Sequence, residues 1–100
     1  MAKWRRLWIA ELLISTEVES KLIWKHGIKV ADIRRRFVAS NNLMAIEDIH
    51  MLYGMRLYVV DPAEKLPRVI LIVQLADEEY STWRLLTAYR SSNSKLVGRQ

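Results

Sequence analysis

The chain has 100 residues, of which 51% are hydrophobic, no cysteine, and a formal net charge of +5. A chain of this size encloses one core, so a second domain is not expected. The lack of cysteine excludes disulfides and thiolate metal sites. The two histidines, His26 and His50, lie too far apart in sequence for metal-ligand spacing, so neither a metal nor a cofactor is expected.

Charge is unevenly distributed. Residues 1–40 hold nine Lys/Arg against four Asp/Glu, whereas residues 41–94 hold five against seven, and Lys95 and Arg99 follow. A basic N-terminal half favours a polyanionic partner such as RNA, or an acidic protein; the alternative is a solvated basic face with no partner. The stretch Met1 to Ala10 starts like the charged region of a signal peptide, but Glu11 interrupts the apolar run, and the segment is read as structure. The longest strong apolar run, Val69 to Val73, is far short of the ~18 residues a membrane span requires. A soluble, cytoplasmic protein without membrane contact is expected.

In chain order, Leu7 to Ile14 reads as a strand, because it mixes Trp, Ile and Leu with a single acid and precedes a helix-start signal. Thr16 is the expected N-cap, with Glu19 completing a capping box and Glu17 in the positive first turn. Val18 and Leu22 share one helical face and Lys21 and Lys25 form a cationic ridge, while Gly27 is the expected stop after Lys25 and His26. A second helix is predicted from Val30 to Ala39, with Val30, Ile33 and Phe37 buried. Arg34, Arg35 and Arg36 lie within it, about 100° apart around the axis, so at most two can serve one ligand and the third is solvated or paired with Asp32.

Strand-like segments follow at Leu43–Asp48, Met55–Val60, Arg68–Ala76 and Thr82–Arg90, with a loop over Asp61–Pro67 and a turn over Asp77–Ser81. The third is apolar on both alternating faces, as a strand covered on two sides requires. The expected architecture is therefore α+β: a single domain over residues 1–91, with two N-terminal helices packed on one face of a three- to four-stranded antiparallel sheet. Residues 92–100 have the composition of a flexible tail. Strict alternation would place Ile70, Ile72 and Leu86 together on the other face, beside Arg68, Arg84 and Arg90. That face is expected either to meet a partner, including a second copy in a homodimer, or to be covered by the N-terminal strand or the tail.

Two segments carry a family resemblance: the helix end Lys25-His26-Gly27-Ile28, and the last strand Trp83-Arg84-Leu85-Leu86-Thr87-Ala88-Tyr89-Arg90. In this order, over residues 7–91, the chain resembles the BrnT-like branch of the RelE-type toxins of bacterial toxin–antitoxin systems. The resemblance implies a small cytoplasmic ribonuclease neutralised by a cognate antitoxin. Lys25, His26 and Gly27 match the family's helix-end motif, and Arg84, Thr87 and Ala88 match its final strand. Where an arginine usually follows the small residue this chain has Tyr89, with Arg90 one place later, and the family's C-terminal helix is absent or very reduced.

Metal-independent RNA cleavage needs a group to move the 2′-hydroxyl proton, cations for the phosphorane, and an acid for the leaving oxygen. On this reading His26 exchanges protons, and Arg84 and Lys25 stabilise phosphate charge. Lys21, Arg34, Arg36, Tyr89 and Arg90 are the RNA-binding candidates. Each has a plainer role beside it: His26 as a helix-terminus group, Arg84 in a salt bridge to Glu47 or Asp48, and Tyr89 as packing. His50 has no supporting motif and reads as strand or loop surface. Trp4, Trp8, Trp24 and Trp83 invite a stacking platform, although most are expected in the core or an interface. The resemblance thus implies a toxin-like endoribonuclease, with a non-catalytic RNA-binding or protein-binding relative as the alternative.

Overall fold

A computed structural model describes residues 3–50 and 54–92, with only the backbone of Ile49 and His50. The predicted tail, from residue 93 onward, and the His50 side chain lie outside the described residues. The protein is α+β, with strands β1 (Arg5–Arg6), β2 (Glu11–Leu13), β3 (Met44–His50), β4 (Gly54–Val60), β5 (Arg68–Asp77) and β6 (Thr82–Ser91). Helix α1 (Thr16–Lys21) continues into a π-helical turn over Leu22–His26, and α2 spans Val30–Phe37.

The sheet is larger than the sequence pattern predicts, and it is mixed. Its order is β1-β3-β4-β5-β6-β2, with β2 parallel to β6 and every other pair antiparallel. Of the strand expected over Leu7–Ile14 only Glu11–Leu13 forms; a further short strand, Arg5–Arg6, precedes the predicted span on the opposite sheet edge, and Leu7 to Ala10 joins the two. This connection fixes the shape. Six flat strands would span about 24 Å at the usual spacing, whereas the chain from Arg6 to Glu11 reaches at most about 18 Å. The sheet must curl to bring its edges together, and the Trp83 indole N–H donates to the Trp8 carbonyl of the crossing segment at 3.2 Å.

The curl has a concave face that holds the core. Ala45, Val59, Leu71 and Ala88 lie opposite one another across β3 to β6 and are fully buried, with Leu57, Val73 and Leu85 in the next row. Leu22, Ile28, Ile33 and Phe37 of the helical layer close over them, as the predicted helical stripes require. On the convex face the corresponding row is Met44, Val60, Ile70 and Tyr89, and Trp4 and Tyr58 pack against it. Ile70 and Ile72 retain only 2% and 7% exposure, so the open apolar face offered for a homodimer is closed at these residues. The N-terminal segment supplies part of that cover, through Trp4.

Helix boundaries follow local chemistry. Ser15, rather than Thr16, is the N-cap of α1: its hydroxyl accepts the Val18 N–H at 3.1 Å, and the expected capping box with Glu19 does not form. Gly27 ends the π turn in the left-handed region at φ 63°, as predicted, and Ile28 N–H donates to the Leu22 carbonyl at 3.1 Å. α2 stops at Phe37, two residues before the predicted end at Ala39, whose φ of 57° is incompatible with a continuing helix.

Candidate nucleic-acid interface

Helix α1 and its π turn run beside β6, and their eleven residues advance about 16 Å at helical rise. At the start of this run, a groove of about 620 Å³ is lined by Ser15, Val18, Arg34 and Arg84. At its end, Arg90 of β6 donates from Nη1 to the His26 carbonyl at 2.7 Å, and from Nη2 to the Gly27 carbonyl at 3.5 Å. A guanidinium there neutralises the partial negative charge of a helix C-terminus and satisfies carbonyls that have no helical partner. The Lys25-His26-Gly27 helix end and the last strand therefore meet in space through Arg90, not through Arg84, Thr87 or Ala88.

Arg84 and Arg90 do not share a face, contrary to the alternation read from the sequence. A β-bulge shifts the register: Leu85 pairs with Val73 and Thr87 with Ile72, leaving Leu86 as the extra residue. Side-chain parity reverses across it, so Arg84 pairs with Gln74 on the convex side, whereas Arg90 reaches the helices on the concave side. Six residues of strand also separate the two by about 20 Å. Arg84 and His26 consequently stand at opposite ends of the helix–strand seam and are not assembled around one phosphate.

The other predicted residues divide by their partners. The salt bridge of Arg84 with Glu47 or Asp48 is absent, because β4 and β5 separate β3 from β6; Glu47 faces Arg5 at 3.7 Å and Asp48 binds Arg56 at 2.9 Å. Arg34 donates to the Leu12 carbonyl at 2.7 Å. Arg35 pairs with Asp32, the assignment anticipated for one of the three arginines. Arg36 binds the buried carboxylate of Asp61 at 2.8 Å and lies 3.9 Å from Glu64, tying α2 to the loop after β4. Asp61 also accepts the Ala63 N–H at 2.9 Å, and Glu64 the Val69 N–H at 3.1 Å, so this loop is held at several points. Tyr89 packs against the convex apolar cluster.

Net charge separates the surfaces that remain. A cavity of about 460 Å³ between α2, β6 and the Asp61 loop contains Arg35, Arg36 and Arg90, but also Asp32, Asp61 and Glu64, so it has no net formal charge. The Arg34–Arg84 groove has two arginines against Glu11. The helix end is the most one-sided: between Glu19 and Asp32 there is no carboxylate, while Lys21, Lys25 and Lys29 accompany His26. All four side chains are exposed, and only Lys21 has an ion-pair partner among the described residues, Glu17 at 3.4 Å. No protein-family model, curated protein or solved structure matches the chain.

Among the described residues, no group of three or more His, Cys, Asp or Glu side chains is placed to hold a metal ion, and no helix is long and apolar enough to cross a membrane. Two features stand apart from the sequence reading: the exposure of one tryptophan, named there only among four expected mostly in the core or an interface, and a cluster not named there. Trp24 is 88% exposed within the basic helix end. Its position was legible, since two residues beyond Leu22 it lies about 200° around the axis from the buried stripe. The second is a convex-face cluster: the Arg56 guanidinium, bound to Asp48, lies 6.0 Å from the Tyr58 ring centre. Burial raises the Tyr58 hydroxyl above the ordinary tyrosine pKa, and its hydrogen bond with Asp48 adds to the rise. This cluster is structural, joining β3 to β4 at directly opposed positions.

Proposed function

We propose that the chain is a metal-independent endoribonuclease of the RelE/BrnT toxin type, acting in the cytoplasm and neutralised by a separate antitoxin. The observation that carries this reading is the junction of the Lys25-His26-Gly27 motif with the last strand, where Arg90, one place beyond the family's usual arginine, holds the carbonyls of His26 and Gly27. That contact fixes the backbone from which the exposed His26 and Lys25 side chains project, and positioning of this kind is a large part of what a catalytic scaffold supplies.

In this mechanism the His26 imidazole accepts the proton of an RNA 2′-hydroxyl. The 2′-oxygen attacks the adjacent phosphorus while Lys25 offsets the added negative charge. The bond to the 5′-oxygen breaks, and that oxygen takes up a proton from solvent water, leaving a 2′,3′-cyclic phosphate and a 5′-hydroxyl. Arg90 is a positioning residue. Arg84, on the convex side, contacts a different phosphate of the same strand, because some 20 Å of β6 separates it from the His26 end. Its role is thereby changed from stabilising the reacting phosphate to gripping the substrate.

A second reading is an RNA-binding relative that does not cleave. It is favoured by the separation of Arg84 from His26, and by Tyr89 standing, packed against Ile70, where the family usually places an arginine. Incubating the protein with single-stranded RNA in a metal chelator separates the two. Cleavage that falls sharply in His26→Ala supports the first, and salt-sensitive binding without products supports the second.

A further inference from the structure

We propose that Trp24 is a base-stacking residue, its indole face receiving an unpaired base of single-stranded RNA whose backbone is drawn to the Lys21 and Lys25 cations of the same helix end. The inference rests on the RNA-directed reading above and extends it from phosphate contact to base contact.

Of the three tryptophans before β6, Trp24 alone is nearly free of the fold. Trp4 packs against the convex cluster and Trp8 is 45% exposed, whereas Trp24 is 88% exposed and its neighbour Ile23 is 53% exposed. The fold gains almost nothing from an indole there. Neither does the helix require it, since Leu22 and Ile28 make the core contacts at this end and Gly27 with Arg90 completes the cap.

The surroundings specify the kind of occupant. Trp24 lies in a stretch with Lys21, Lys25, His26 and Lys29 and with no carboxylate from Ser20 to Ala31. An aromatic face among cations fits a ligand that offers a flat π surface beside a negative backbone, the combination in single-stranded nucleic acid. An acidic protein segment would satisfy the cations but has no general need for an aromatic plane. The π-helical form of Leu22–His26, which contains Trp24, belongs to a class of helix defect that recurs at functional sites.

The test compares the affinities of wild-type protein, Trp24→Ala and Trp24→Phe for two ligands at one salt concentration. One is a single-stranded 2′-O-methyl RNA oligonucleotide, which lacks the attacking hydroxyl and so reports binding without cleavage; the other is inorganic polyphosphate, which has charge but no bases. Trp24→Ala is expected to bind the oligonucleotide about 5- to 150-fold more weakly, the range for losing one base–aromatic stack. Trp24→Phe should retain most of the affinity, and polyphosphate binding should be unchanged in both. Equal oligonucleotide affinity of wild type and Trp24→Ala would overturn the inference while leaving the RNA-directed reading intact, and would leave protein docking as the use of the exposed indole. Equal losses on both ligands would also overturn it. Failure of the wild-type protein to bind the oligonucleotide would remove the RNA reading and this inference together.

Discussion

At the scale of single residues, Gly27 and Tyr58 show two different ways in which local chemistry sets stability. Gly27 occupies φ 63°, and a Cβ added there would meet nothing within 4 Å. The cost of Gly27→Ala is therefore conformational, about 1–2 kcal/mol, and should appear in urea unfolding with an unchanged m-value. Tyr58 acts through protonation. Its folded-state pKa is raised, so it contributes stability that is fully present below the ordinary tyrosine pKa and is lost as pH rises through the higher folded value. Stability of the wild type should accordingly fall on alkaline titration more steeply than that of Tyr58→Phe. Parallel pH profiles would show that burial and Asp48 do not hold the phenol in its protonated form.

At the scale of elements, helices were largely legible and strand edges were not. The spacing of Ile33 and Phe37 announced a buried stripe, and both are 1% exposed. Phe37→Ala should cost about 3–5 kcal/mol, the usual penalty for emptying a core aromatic site, and is measurable as a lowered denaturation midpoint. Gly27 announced the end of the first helix because few other residues accept its backbone. The start was misplaced by one residue: Ser15 and Thr16 both carry cap-competent hydroxyls, and geometry decides between them. Ser15→Ala should therefore cost about 1 kcal/mol and Thr16→Ala much less, as thermal unfolding of the two variants would report. β1 and β2, at two and three residues, are too short to display alternation, so their separation to opposite edges left no periodic trace. The bulge at Leu86 was equally silent, since Arg84 to Arg90 reads as unbroken strand; it is nevertheless what divides the two arginines between faces.

For the whole molecule, the candidate site emerges from charge sorting. Acids on α2 and the Asp61 loop engage Arg35 and Arg36, which removes much of the apparently basic second helix from ligand binding. The cations left exposed lie along α1, its π turn and the Arg34–Arg84 groove. Binding of single-stranded RNA should weaken steeply with salt, and Arg84→Ala should reduce both affinity and salt slope, by about one phosphate contact.

The central claim is that the helix end held by Arg90 cleaves RNA without a metal, and the most direct measurement is the rate of single-stranded RNA cleavage in a chelator by wild-type protein and His26→Ala. Products ending in 2′,3′-cyclic phosphate are expected, with a rate about 10²–10⁴-fold lower in the variant and unchanged circular dichroism. Equal rates in the two proteins, or no cleavage by wild-type protein that binds the RNA, would contradict the claim.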